Sequence, residues 1–494
     1  MASCSKDYLN TTPTSSTATS TIFETTDNAA LAINGICKLM TRQYLESQGF
    51  NGEGTVKLYA GEYPGDNLSL NLPGWASVIN ANFHDNKASI YNYYNWYYYY
   101  MLIGNANAII ANIDGAKGGE NEKQFIKAQA LSFRAYSYMM LLQLYSVRWS
   151  DSNNGASDGV VLRLDTSTDE MPLSSMNDCY KQIYDDLDEA ISLYTASELA
   201  PSSNDNYSPN INMAYATYAR AALNKQDYSK AAEMAVKARE GHPLMSNEEY
   251  KSGFSTPNKE WIWSCYGSAD ETLFYFSYFA YMSYNSSASA ARTYPKCINK
   301  EFYDRIPETD LRKGMFLDPK DYSYTKSTGL AGKELTAYAR TLYPKIYSTS
   351  KVYAYMNFKF ENTTQPGVGH LNNFRSSEMY LIEAEANYFL KNEKAAQTAM
   401  NALTRDSGRD PEYNCAATGA DLLEEIKLYR RVELFGEGFN WFDLKRWGDS
   451  MKRTDPNNGG NYISVLAVTY GPKDKNNWTW EIPLRETDYN KLIK

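Results

Sequence analysis

Gly65 to Lys87 reads GDNLSLNLPGWASVINANFHDNK and gathers Asp66, Asn67, Asn71, Trp75, Asn80, Asn82 and His84 in one stretch. Tyr266 to Tyr294 sets Tyr275, Tyr278, Phe279, Tyr281 and Tyr284 ahead of a Ser/Ala-rich loop that ends in Arg292. Flat rings beside amides, carboxylates and a guanidinium suit a pyranose: the ring covers the C–H face while polar groups bond hydroxyls and fix orientation. Trp75 follows Pro73-Gly74, a turn pair that keeps it near the surface; capping a helical core is an equal alternative. Composition and position single out Asp66, Asn67, Trp75, Tyr281, Tyr284 and Arg292 as candidate contacts, with Tyr275 and Phe279 expected in core strands. His84 reads as a plain polar loop residue.

Catalysis has little to stand on. The chain has no Gly-x-Ser-x-Gly elbow and no phosphate-binding loop. Its three histidines, 84, 242 and 370, are far apart. Asp185-Asp186 and Asp188-Glu189 adjoin on an expected helix and read as a solvated face. Glycosidase carboxylates must instead flank a sugar about 5–10 Å apart. Six cysteines without a Cys-x-x-Cys pair argue against a thiolate zinc site, while disulfides stay open. The expectation is a protein that is not an enzyme, with no cofactor and no metal.

A net charge of −9 disfavours nucleic acid and anionic lipid headgroups as partners. No apolar run reaches the roughly 20 residues that span a bilayer. The 43 tyrosines combine broad apolar faces with hydrogen-bonding tips, as sticky polar-aromatic surfaces do, although many must simply pack helices.

The elements that hold the loops are mostly helical by spacing. Helices are expected over Phe23–Tyr44, Ile90–Ile113, Glu122–Tyr145, Asn177–Tyr194, Met213–Leu223 and Tyr228–Arg239, then Phe374–Leu390 and Lys394–Thr404. Ala219 and Ala222 facing Ala231, Ala232 and Ala235 let two antiparallel helices approach closely, as in tetratricopeptide units. The middle, 241–371, is irregular, with short strands expected at Trp261–Trp263 and Phe274–Phe279. The fold class is therefore mostly α: helix pairs near 22–240 and 372–448 form a superhelical frame carrying an irregular, loop-rich face.

Near the carboxyl end, RRVELFGEGFNWFDLKRWG interleaves charges of both signs with Phe435, Phe439, Trp441, Phe442 and Trp447. Charges among so many large rings fit a buried, paired network. Arg430, Arg431, Glu433, Leu434, Glu437, Gly438, Trp441, Phe442, Asp443, Leu444, Arg446 and Trp447 resemble the closing signature of the SusD/RagB family, with Tyr429 and Asn440 departing from it. Trp96, Tyr100, Ile103 and Asn107 are similar to a second family pattern, and Arg375, Glu378, Tyr380, Leu381, Ala384, Glu385 and Ala386 to a third. Phe302-Tyr303 with Asp310 and Arg312, and Trp480-Glu481-Ile482-Pro483 with Glu486, extend the likeness over the chain.

The resemblance implies a cell-surface lipoprotein of the outer membrane that captures nutrients, mostly glycans, for a partner SusC-like TonB-dependent transporter. It also implies that the closing signature is architectural. Cys4 matches the family's lipidated cysteine, so residues 1–21 are expected to be an anchor and tether and 22–494 one domain. Met1-Ala2-Ser3 reads as a short leader in place of a removed signal peptide. Capture of peptides or another nutrient, and a helical-repeat scaffold that binds only protein, are the alternatives.

Overall fold

The computed structural model describes residues 21–46, 49–203, 205–269 and 276–493. Cys4, Phe274 and Tyr275 lie outside the described residues.

Helix α1 spans Thr26–Leu39, α2 Ile90–Asn112, α3 Glu120–Tyr145, α4 Met176–Ser197, α5 Ile211–Asn224 and α6 Tyr228–Ala238. Side-chain caps start several of them: Ser89 Oγ accepts from the Tyr91 amide, Ser175 Oγ from Asp178 and Asn210 Oδ1 from Met213. Each cap satisfies a donor that the first helical turn leaves open. Helix α3 packs on α2 and on α4, and α5 packs on both α4 and α6. Buried Ala214, Ala216, Ala219, Ala221 and Ala222 meet Ala231, Ala235 and Ala238, the close approach expected of a repeat pair. The stack continues into α8, Ser376–Phe389, which lies against α6, and then into α9, Glu393–Asn401, and α10, Gly419–Glu433. A last helix, α11, covers Asn440–Trp447 and stops at Gly448, whose φ of +73° ends the helix in the left-handed region.

Helix α2 carries the run YNYYNWYYYY. Tyr94, Trp96, Tyr98 and Tyr99 are buried, whereas Tyr91, Tyr93, Tyr97 and Tyr100 keep one side open. The hydroxyls of Tyr99 and Tyr136 both donate to Glu53 Oε1, at 3.0 and 2.6 Å.

Strands are few and short. β1, Leu68–Leu70, pairs antiparallel with β3, Lys296–Ile298; β2, Trp261–Cys265, pairs with β4, Leu371–Arg375. A third ribbon joins β5, Met451–Lys452, to β6, Thr469–Tyr470. Three expectations need correction. Phe374 and Arg375 belong to β4 rather than to the helix that follows. The irregular middle contains a short amphipathic helix, α7, Lys333–Leu342, which buries Leu335 and Ala339. The described end of the expected 274–279 strand enters a helical turn, Tyr278–Met282, because Ser277 Oγ caps the Ala280 amide. Phe279 is nonetheless buried.

The five described cysteines are free and buried, and burial pushes the thiols of Cys179 and Cys415 up to about 11. Among the described residues no helix is long and apolar enough to cross a membrane and no cluster could hold a metal ion.

Candidate functional site

Four cations and four carboxylates converge where the irregular middle meets the helical frame. Arg375, at the end of β4, donates to Glu433 Oε1 at 2.6 Å, to Glu260 Oε1 at 2.8 Å and to both oxygens of Glu437. Arg312 bonds Asp310 and donates to Glu433 Oε2 at 2.9 Å. Arg409 lies 3.5 Å from Glu260 and 3.7 Å from Glu433, while Lys359 reaches Glu437 and the carbonyls of Glu433 and Phe435. All eight side chains are buried. Burial alone would raise the Glu433 carboxyl, but Arg375, Arg409 and Arg312 outweigh it and hold that group well below the usual carboxylate range.

A second set bolts helices together. Arg430 and Arg446 both bond Asp443, and Arg446 and Trp447 Nε1 reach Glu385 on α8. Arg220 of α5 clasps Glu378 of α8 through two bonds of 2.7 Å, its guanidinium 3.9 Å from the Phe374 ring. Trp441 stacks on Trp478 at 4.2 Å.

The same carboxyl-terminal segment holds the 65–87 loop. Arg431 donates to Asp66 Oδ1 at 2.7 Å and to Asn67 Oδ1 at 2.8 Å, while Asn440 Oδ1 accepts from both backbone amides. Arg453 adds bonds to the carbonyls of Tyr63, Gly65 and Ile79. Asp66 and Asn67, expected to meet ligand, therefore sit buried with their side chains engaged by the frame. Upstream, a π turn at Lys57–Glu62 presses so near the signature that a Cβ on Gly61 would lie 2.3 Å from the Gly438 carbonyl oxygen. Glu62 accepts there from the Gly438 and Phe439 amides, yet burial still pushes its carboxyl up to about 7.

Held in this way, the loop presents Trp75 from a short turn, Pro73–Trp75, with its ring half-buried. Trp75 lies 5.2 Å from the Tyr59 ring and 6.0 Å from Tyr281, and Tyr59 donates to the Tyr281 hydroxyl. Half-buried Phe83 and Tyr91 stack at 4.7 Å beside the same Tyr59. The outcome is a layered aromatic face: Tyr59 and Tyr281 below, Trp75, Tyr91 and Phe83 reaching solvent. Four residues before Trp75, Asn71 bonds the Thr328 carbonyl and the Tyr353 hydroxyl at 3.3 Å. It lines a cavity of about 200 Å³ with Tyr324, Tyr353 and Tyr355.

Of the six sequence candidates, Asp66 and Asn67 come together on Arg431, in the frame, and Trp75 and Tyr281 come together at the aromatic face, where Tyr281 is buried beneath it. Tyr284 packs on Tyr343 and Phe358 and bonds Glu361, and half-buried Arg292 reaches Thr349. His84 is a core residue, its ring 4.8 Å from Trp441 and 4.2 Å from Trp480, with burial pushing it down to about 3. It stays neutral at ordinary pH and offers no acid–base chemistry. Asp186 also departs from the solvated face expected of it, since Arg134 bonds both its oxygens, at 2.6 and 2.8 Å. Tyr59 was not visible as a site residue, for it lies on the π turn with no loop signal; Tyr324 and Tyr353 were hidden among many tyrosines of the irregular middle.

Residues 221–492 match a family model described as "SusD family", and residues 7–223 match one described as "Starch-binding associating with outer membrane". Among solved structures, a SusD-like carbohydrate binding protein from Bacteroides vulgatus superposes with a TM-score of 0.75 at 23% identity, over 95% of this chain and 97% of that one. A SusD superfamily protein from Bacteroides thetaiotaomicron gives 0.71 at 20% identity, over 95% and 99%. One from Bacteroides fragilis gives 0.68 at 21%, over 96% and 100%. At these identities the likeness establishes the fold. No curated protein matches the sequence.

Proposed function

We propose, from the premise that this chain belongs to the SusD family, that it captures a glycan at the cell surface without cleaving it and passes it to a SusC-like TonB-dependent transporter. Starch binding and outer-membrane association are what the family description supplies. The observation that carries the reading to this chain is the layered aromatic face around Trp75; Asn71, four residues earlier in the chain, lines a cavity with Tyr353. Half-open rings on a rigid base offer stacking area, and the amide and phenolic groups of the cavity can bond hydroxyls. Much of a sugar bound there stays wet, so affinity is modest. Cys4 carries the lipid anchor, residues 1–21 the tether, and the rest of the chain the binding domain.

Titration calorimetry with a panel of oligosaccharides, repeated on Trp75→Ala, tests this. Heat with at least one glycan, reduced in the variant, is the expected result. Silence on every glycan with heat from peptides would shift the cargo to peptides; silence on both would leave a protein-binding scaffold.

A further inference from the structure

A trough of about 1200 Å³ runs between α2, residues 163–168 and residues 485–489, and its lining includes none of Tyr59, Trp75, Phe83, Tyr91 or Tyr281. Its rims are fixed from inside. Trp96 Nε1 donates to Glu486, Tyr100 donates to the Val161 carbonyl, and Asn107 Nδ2 donates to the carbonyls of Arg163 and Asp165. The space is therefore preorganised rather than a gap between loose loops.

The lining alternates flat rings with hydrogen-bonding groups. Tyr93 and Tyr97 lie 5.8 Å apart on α2, and Tyr489 faces solvent with 82% of its surface exposed. Arg485 lies 4.7 Å above the Tyr93 ring. Arg163, Asp165, Arg485 and Asp488 surround the trough with both signs of charge, yet none forms an ion pair among the described residues. Three consecutive hydroxyls, Thr166 to Thr168, complete one rim. Gly104 on the floor has no local explanation: it is exposed within a long helix, and an added Cβ would meet nothing within 4 Å. Glycine there costs helix stability for no packing gain. A flat ligand lying on the helix would supply the missing reason.

We propose that this trough is a second glycan-binding site, in which Tyr93, Tyr97 and Tyr489 stack on pyranose rings while Arg163, Asp165, Arg485 and Asp488 bond their hydroxyls. The inference rests on the glycan reading above and adds a second contact for the same long chain. A protein partner fits less well, because protein interfaces exclude unpaired charge from their centres. Two weak sites on one polysaccharide raise retention well beyond either alone.

Native-gel affinity electrophoresis in amylopectin, xylan, galactomannan and arabinogalactan, followed by calorimetry on whichever retards the protein, tests it. The variants are Tyr489→Ala, Gly104→Leu, Trp75→Ala and the triple combination, with melting curves to confirm folding. Tyr489→Ala is expected to weaken polysaccharide binding roughly three- to tenfold, the loss of one stacking contact. Trp75→Ala should leave a residue of binding that the triple variant loses. Should Tyr489→Ala and Gly104→Leu match the unaltered protein on a polysaccharide that Trp75→Ala no longer binds, the trough is no glycan site, while the glycan reading stands. Retardation by none of the four polysaccharides overturns both. Trough variants that keep full retardation but lose co-purification with the transporter overturn it too, making the trough a protein contact.

Discussion

Replacing Glu433 with Gln removes one negative charge from the centre of the ionic cluster and almost none of its volume. The carboxylate accepts from Arg375 at 2.6 Å and Arg312 at 2.9 Å, with Arg409 at 3.7 Å. A Gln amide can accept at one position only, and its NH₂ must face a guanidinium. Four cations would then be balanced by three carboxylates away from water. Removing one partner of a buried pair costs about 3–5 kcal/mol. A chain of 494 residues unfolds with an entropy of about 1 kcal/mol/K, at roughly 2.1 cal/mol/K per residue, so the expected fall in melting temperature is about 3–5 °C. Differential scanning calorimetry at a fixed scan rate reads it. Lys181→Ala is the control: it breaks an exposed pair with Asp185, worth at most about 1 kcal/mol, so under about 1 °C. If Glu433→Gln melts as close to the unaltered protein as Lys181→Ala does, the cluster is not what joins the irregular middle to the helices.

Glu62 has the opposite pH signature. Its folded pKa lies at about 7 against an ordinary 4.5, so between those values the folded state binds more protons than the unfolded one and stability falls as pH rises. Glu62→Gln should remove that loss, melting progressively higher than the unaltered protein from pH 4.5 to 7, by up to about 3 kcal/mol; a constant difference would refute it. Glu433, with its folded pKa lowered, contributes stability above about pH 4.5 that is lost as pH drops through the folded value, so the Glu433→Gln difference should shrink in acid. In a double-mutant cycle, Arg431→Ala and Asp66→Ala should couple, since each strips the other's partner at 2.7 Å; strict additivity would contradict their role in seating the loop. Tyr281→Ala, buried under Trp75, should cost about 3–5 kcal/mol as a core truncation.

The frame was legible because its signals are local. The alanine-lined pair α5–α6 and the periodic spacing of the long helices each declare themselves within a few residues. The signature from Arg430 to Trp447 was legible as a buried network from charge and ring content alone. Which groups it seizes was not, since Asp66 and Asn67 lie more than 360 positions upstream of Arg431. They looked like free sugar-binding groups only because their partner lies beyond any sequence window. The same distance hid His84 between Trp441 and Trp480. Tyr281 and Tyr284, three residues apart, enter different aromatic groups because the helical turn ends at Met282 and Ser283 is extended, which redirects the chain before Tyr284, and composition does not reveal direction.

The central claim is that the face around Trp75 takes up glycan and leaves it intact. Equilibrium dialysis of the protein against an oligosaccharide drawn from its retained polysaccharide, followed by chromatography of the recovered sugar after a long incubation, tests this most directly. Saturable uptake, weakened by Trp75→Ala, with the sugar recovered at its original length is the expected result. Shorter products, or uptake indifferent to Trp75→Ala, would contradict it.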